Sequence, residues 1–367
     1  MRILFLYVVD WSREIADFGK GLVPSHRLFG YAELKELGHQ AFVCPRPSRF
    51  SGMVSKSIYW RIYQALHSAL HPNEFDAIFA VNEATAIPLL VLKRLGLLKT
   101  PVIVFNTGLM HPRNRCGSRK AMWRWLLPAA EAVVSQTTME QAAVWKEFGL
   151  EESRQFLIPM LVDLNFFKPD EGIPTADYCL AVGTTEGKDY RTLLKALPRN
   201  EKLVIVTDAY NAAIVRENLE EGMDVSVQQA VPIQKLKRMY QEAKVIINPL
   251  ADTPYGTGHT VVLENMVLGK PVIVTSVPGI DDYFDDGMTA IAVKPADPDD
   301  LRSKIQAYLE NPGAFSHIAE KARHWVHSFS SQEFARKLIA IAQRLQPQPT
   351  AGKIERPTEP VMETHIS

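Results

Sequence analysis

Residues 256–275, GTGHTVVLENMVLGKPVIVT, set two glycines, a histidine and two hydroxyls directly ahead of an apolar helix with one carboxylate, Glu264, which the pattern places in its first turn. The amide N–H groups at a helix start lack intrahelical partners and together carry about half a positive charge, so a phosphate is a natural ligand there. Gly256 and Gly258 would let the backbone approach such an anion. Thr260 and Glu264, four positions apart, share a helix face with an axial offset of about 6 Å. That offset suits a phosphate beside Thr260 and a ribose beside Glu264, whose carboxylate can accept from both hydroxyls of a vicinal diol. The same residues also fit a packing role, with Glu264 complementing the helix dipole and the glycines only turning the chain. The pattern leaves both readings open.

The elements that would position these residues alternate along the chain. Short apolar runs rich in β-branched residues (RILFLYVV, QAFVC, AIFAV, PVIVF, AVVSQ, QFLIP) are separated by helix-period segments up to about residue 158. After VDLNFFKPDEGIPTADY the alternation restarts with CLAVG, KLVIV, VSVQQ, VIINP and PVIVT. Such order predicts an α/β fold with two doubly wound, Rossmann-like parallel sheets. Ligands of open α/β sheets bind beyond the carboxyl ends of the strands, so two facing sheets would enclose a central cleft. The expected division is 1–168, 169–312, a helical segment 313–346 packing back toward the first domain, and a mobile Pro-rich tail 347–367.

Composition narrows the class. The 367 residues are 46% hydrophobic and 22% charged, an ordinary globular balance with room for two cores. Cys44, Cys116 and Cys179 are widely separated and lack metal-site spacing, which suggests a reducing compartment. Asp10 ends the apolar amino-terminal run before any signal-peptide pattern, and no stretch approaches the ~20 apolar residues of a membrane span. A cytoplasmic location is the expectation. The net charge is zero, yet no acid occurs from Leu37 to Asn73 or from Ala84 to Ala130.

The stretch GHTVVLENMVLGKPVIVTSVPGIDDYFDDGMTAIAVKPADPDDL resembles the donor-binding segment of retaining glycosyltransferases of the GT-B fold, family 4 (glycosyl transferases group 1). LIPMLVDLNFFKP and VSVQQAVPIQKLKRMYQEAKVIINP resemble that family's interdomain and pre-donor-loop segments, in the same order. The resemblance is clear over about Ala181 to Leu301 and only architectural in the amino half. It implies a nucleotide-sugar donor as co-substrate, held by the second domain, and a saccharide, lipid-linked or small-molecule acceptor held by the first. It also implies transfer with retention of configuration and no metal or other cofactor, the helix dipole and basic groups neutralising the leaving diphosphate.

Carried over position by position, the resemblance gives Gly183, Thr184, Lys188, Gly258, His259, Thr260 and Glu264 as donor-binding residues. Thr184 stands where the family has arginine, and Lys188 keeps the expected lysine. The family's paired glutamates fall on Gly256 and Glu264, so the first is missing, and a carboxylate restored at Gly256 is expected to strain a positive-φ turn and lose activity. His111, just after the strand ending in Asn106 and Thr107, joins Lys188 and Glu264 as a catalytic candidate. Gly21, Ser25 and His26 form an expected cleft loop.

Two rival readings remain at this stage: a nucleotide-sugar-binding protein with diverged or no transferase activity, and a nucleotide-sugar epimerase, for which no acid/base pair is evident. Nucleic acid is not an expected partner, since no recognition motif appears. Within the acid-free windows, Arg46, Arg49, Lys56 and Arg61 alternate with Phe50, Tyr59, Trp60 and Tyr63, and Arg119, Lys120 and Arg124 surround Trp123 and Trp125. This mixture suits peripheral contact with an anionic membrane. It equally suits core aromatics with solvated cations, or an anionic glycan acceptor.

Overall fold

The structure is a computed structural model describing residues 1–45 and 58–347. In chain order the first unit comprises β1 (Arg2–Leu6), α1 (Ser12–Gly19), α2 (Tyr31–Glu36), β2 (Gln40–Val43), α3 (Ile58–Leu70), β3 (Ala77–Ala80), α4 (Glu83–Arg94), β4 (Val102–Phe105), α5 (Gly117–Leu126), β5 (Ala132–Ser135), α6 (Thr138–Phe148) and β6 (Gln155–Leu157). The second comprises β7 (Cys179–Val182), α7 (Tyr190–Ala196), β8 (Leu203–Val206), α8 (Ala209–Glu217), β9 (Val225–Gln228), α9 (Ile233–Glu242), β10 (Val245–Asn248), α10 (His259–Leu268), β11 (Val272–Thr275), β12 (Ile291–Val293) and α11 (Pro298–Glu310). Helices α12 (Ser316–Trp325) and α13 (Ser331–Arg344) follow.

Central strands such as AIFA, VIVF and VIIN are buried at every position, as strands covered by helices on both faces must be. They form two six-stranded sheets, ordered β2-β1-β3-β4-β5-β6 and β12-β11-β10-β7-β8-β9. Every pairing is parallel. Strand order reverses between β1 and β3 in one sheet and between β7 and β10 in the other. The loops after β1, β7 and β10 therefore leave the sheets at the crevices where such folds hold ligands.

The elements differ from the sequence expectation in three places. α1, absent from the expected strand–helix alternation, is a short helix with Ile15 and Phe18 half-buried on one side and no fully buried residue. β12 is only three residues long. Of the two closing helices only α13 returns to the first unit, where Phe334 meets the rings of Phe79 and Phe105; α12 packs on α10 of the second unit through Ala322. Among the aromatics of the acid-free windows, Trp60 and Trp123 fill the first unit's core, while Tyr59 and Trp125 are exposed. Arg46, Arg49, Phe50 and Lys56 lie outside the described residues, as does nearly all of the expected tail.

The chain crosses between the units twice, and the crossings touch. The Val162 amide donates to Phe329 O at 2.9 Å and the Ser331 amide to Val162 O at 3.0 Å. Tyr283, fully buried, closes the seam: its hydroxyl accepts from the Met160 amide at 2.7 Å and donates to Gln136 O at 2.9 Å. Nearby, the Thr138 amide donates to Asp282 Oδ2 at 2.7 Å. Removing one hydroxyl at Tyr283 strands two buried backbone groups, so Tyr283→Phe is expected to cost roughly 1–3 kcal/mol. Calorimetric or urea unfolding checks this, and a loss well below that range would show that water replaces the hydroxyl.

Candidate functional site between the two sheets

A cavity of about 460 Å³ lies between the units, lined by Trp11, His26, Arg27 and Phe29 from the first and by the ends of β7 and β8, the loop after β9, α9 and the start of α10 from the second. Its second-unit wall divides chemically. Gly183, Thr184, Thr185, Lys188, Gly258 and Thr260 form a polar part; Val206, Ala230, Val231, Ile233 and Leu236 form an apolar one.

The polar part is built around a buried cation. Lys188 is 8% exposed, and its Nζ donates to Asn248 Oδ1 at 2.6 Å. Asn248 in turn donates to Gly258 O at 3.1 Å, fixing the loop that starts α10. The lysine fits only because residue 183 has no side chain: a Cβ there would stand 1.8 Å from Lys188 Cε. No carboxylate pairs with Lys188 among the described residues, and burial lowers its pKa to about 7. α10 begins after Gly258, whose φ of 81° is open to glycine, and no side chain caps its amides. An uncompensated lysine and uncapped helix amides face one space, an arrangement matched to an anion.

Glu264 and His26 meet across the cavity. Glu264 Oε1 lies 3.7 Å from His26 Nε2, and both side chains are nearly buried. Burial raises the Glu264 carboxyl to about 8, against the opposing influence of the Tyr240 hydroxyl and Arg27. Burial likewise lowers His26 to about 4, against the pull of Asp163. At neutral pH the contact therefore joins two largely neutral groups. The Asp163 amide donates to His26 Nδ1 at 3.2 Å, so the neutral ring carries its proton on Nε2, facing Glu264. Tyr240, fully buried beside Glu264, has a hydroxyl that makes no hydrogen bond of normal geometry.

Residues 176–311 match the family model of glycosyl transferases group 1. The second unit is a glycosyl transferases group 1 domain. A curated uncharacterized glycosyltransferase of Methanocaldococcus jannaschii is 27% identical over 170 residues, 43% of this chain and 42% of that protein. The D-inositol 3-phosphate glycosyltransferase of Corynebacterium urealyticum is 26% identical over 125 residues, 34% and 29% of the two chains. The match thus spans less than half the length of either relative. The whole two-sheet architecture is the GT-B fold: it superposes on Anabaena HepE in complex with UDP-glucose with a TM-score of 0.68 at 17% identity, covering 94% of this chain and 100% of that one. Sucrose-phosphate synthase from Thermosynechococcus elongatus gives 0.71 at 17% identity, covering 94% and 99%.

Within the group 1 domain and its partner unit, the structure gathers Gly183, Thr184, Lys188, Gly258, Thr260, Glu264 and His26 around the cavity and leaves out four expected residues. His259 turns away, its Nε2 donating to Gly279 O at 2.7 Å and its ring packed at a tilt on Tyr283, so only its main chain belongs to the helix start. His111 sits at the seam outside the cavity, stacked on Tyr255 with Nε2 3.6 Å from Glu186. Ser25 faces the crossing segments, its amide donating to Asp163 Oδ2 at 2.7 Å. Gly21 is exposed in a surface turn.

Two further expectations are corrected by α10. Because the helix starts at His259, Glu264 is its sixth residue and belongs to the second turn. Gly256 does not have positive φ; the constraint there is space, since a Cβ would lie 2.4 Å from His259 Cε1. Its amide donates to Glu140 Oε1 of the first unit at 2.9 Å.

The sequence reading missed Trp11, Arg27, Phe29, Tyr240, Asn248 and the apolar wall. Arg27 directly follows His26 in the expected cleft loop, and its proximity was the available signal. Phe29 and Ala230, two of three non-glycine residues with positive φ among those described, both line the cavity. Backbone strain of this kind concentrates at functional sites, and sequence gives no warning of it.

The folded pKa of Lys188 lies below its ordinary value of 10.5, so the residue lowers stability progressively as pH falls from 10.5 through 7. Lys188→Met is accordingly expected to raise Tm at pH 7, with the two proteins converging near pH 10 by thermal unfolding. An equal or lower Tm at pH 7 would contradict an uncompensated buried charge.

Proposed function

We propose that the protein is a retaining glycosyltransferase that moves a sugar from a nucleoside diphosphate sugar to a saccharide or lipid-linked acceptor without a metal. The observation that carries this reading is the juxtaposition, in one cavity, of an unpaired lysine, uncapped helix amides, a carboxyl two helical turns deep and an apolar wall. Each matches one part of a nucleotide. The diphosphate sits between Lys188 and the start of α10, the ribose diol meets Glu264, and the base rests on Val206, Val231 and Leu236. Anabaena HepE, which shares the fold, has been crystallised with UDP and with UDP-glucose, which supports the donor class.

Departure of the diphosphate builds negative charge on its terminal phosphate, where the Lys188 ammonium and the α10 amides are already fixed. Their orientation requires no rearrangement as that charge grows, which is the condition for electrostatic catalysis. The acceptor is held by the first unit, whose Arg27 and His26 face the donor.

A second reading, a donor-binding protein without transfer, is favoured by Gly256, where the neighbouring His259 ring leaves no room for the carboxylate of related sequences. Donor turnover separates the two. Turnover that survives chelation and yields a product of unchanged anomeric configuration by NMR supports the transferase; nucleotide-sugar binding without turnover on any acceptor or water supports the second reading. Loss of activity with EDTA, restored by magnesium or manganese, removes metal independence.

Glu264→Gln and Lys188→Ala are each expected to weaken uridine diphosphate binding by roughly 1–3 kcal/mol in calorimetry. Unchanged affinity in both folded variants would overturn the donor site. Because the anion needs the charged lysine, whose pKa is about 7, affinity is also expected to fall as pH rises from 7 to 9. A flat profile would exclude Lys188 as the phosphate ligand.

A further inference from the structure

The first unit presents a face that its own packing leaves uncovered. One side of α3 enters the core through Trp60, Gln64, Ala65 and Ser68. The other side carries Ile58, Ile62, Leu66 and Leu70 at intervals of four, with Tyr59 beside them, and these are 57%, 41%, 49%, 77% and 68% exposed respectively. Between this stripe and Ile87, Pro88 and Val91 of α4 runs a groove of about 340 Å³ with Arg61 as its one charged lining residue. Exposed Leu95 and Leu97 extend the apolar surface past the end of α4, and exposed Trp125 adds to it from α5.

The unpaired charges around this surface are of one sign. Of the cations on α3, α4 and α5, Lys93 is paired with Glu131 and Lys120 with Glu147, which leaves Arg61, Arg94, Arg119 and Arg124 with no carboxylate partner among the described residues, and the one acid on these helices, Glu83, is buried. The Arg94 guanidinium lies 5.8 Å from the centre of the Trp125 ring, placing a cation at the apolar margin. A contiguous apolar patch of this kind marks an interaction site, and its border selects the partner. A second copy apposed through the same patch would bring cations against cations. An anionic bilayer meets the cations with phosphates and the stripe with acyl chains.

We propose that the α3–α4 face is a docking surface for an anionic membrane, with the α3 stripe at the boundary between headgroups and acyl chains and Arg94, Arg119 and Arg124 at the phosphates. The amino ends of α3 and α4 lie at the carboxyl edge of the first sheet, the edge that faces the donor cavity. The surface is separate from the cavity, so its test does not depend on transfer.

Cosedimentation of the full chain with phosphatidylcholine vesicles, alone or mixed with phosphatidylglycerol, is the experiment. Binding is expected only to the mixed vesicles, weaker at high salt, and reduced roughly tenfold or more by Ile62→Glu combined with Leu66→Glu. Both side chains are exposed, and an unchanged thermal-unfolding profile verifies that the variant folds. Three results would overturn the proposal: no binding to mixed vesicles at low salt, binding undiminished in the double variant, or light scattering that shows a dimer of the parent chain dissociated by the same substitutions.

Discussion

Asp163 joins two parts of the chain far apart in sequence. Its carboxylate accepts from the Ser25 amide in the first unit and from the Asn165 and Phe166 amides in the connecting segment. Its own amide fixes the tautomer of His26. These bonds hold the loop after β1 against the crossing chain, and they place the His26 ring, stacked on Phe167, opposite Glu264. That anchor sets the His26 side of the cavity, while the Tyr283 and Thr138 contacts hold the rest of the seam.

Once the walls are fixed, the chemistry of the cavity follows from what is left unpaired. Lys188 has an amide oxygen for a partner and no carboxylate, the start of α10 has no side-chain cap, and the Tyr240 hydroxyl has no acceptor of normal geometry. Each omission costs folding free energy because buried polar groups are expensive when incompletely satisfied. A ligand with phosphate, diol and aromatic parts offers a partner to each surface. Binding and stability are thus coupled at the same atoms.

Much of the architecture was legible because parallel strands covered on both faces are uninterrupted apolar runs, and VIVF, CLAV and VIIN stand out as such. Glu264 was legible as the one carboxylate of the apolar helix that follows the glycine loop, and Lys188 through the family resemblance. The direction of individual side chains was not. His259 and Gly256 looked like ligand-facing residues, but the ring of one fills the space beside the other and bonds to Gly279. Ser25 and His26 are neighbours in sequence, yet only His26 reaches the cavity, because Asp163 claims the Ser25 amide. The start of α10 was misplaced because the helix is buried on nearly all sides, leaving no amphipathic period to mark its first turn. The α3 stripe has the spacing of a core-facing stripe, and only the packed structure reveals that it points outward.

The paired crossings near Val162 and Ser330 make the joint between the units a double ribbon. A single-strand linker can bend and twist freely, whereas two backbones hydrogen-bonded side by side resist twisting and yield most easily by bending about one axis. Rotation of the second unit about this joint is therefore restricted to one axis. A protease that cuts one crossing would leave the halves attached through the other, and the second unit has the topology of an insertion into a fold that begins with β1 and is completed by α13.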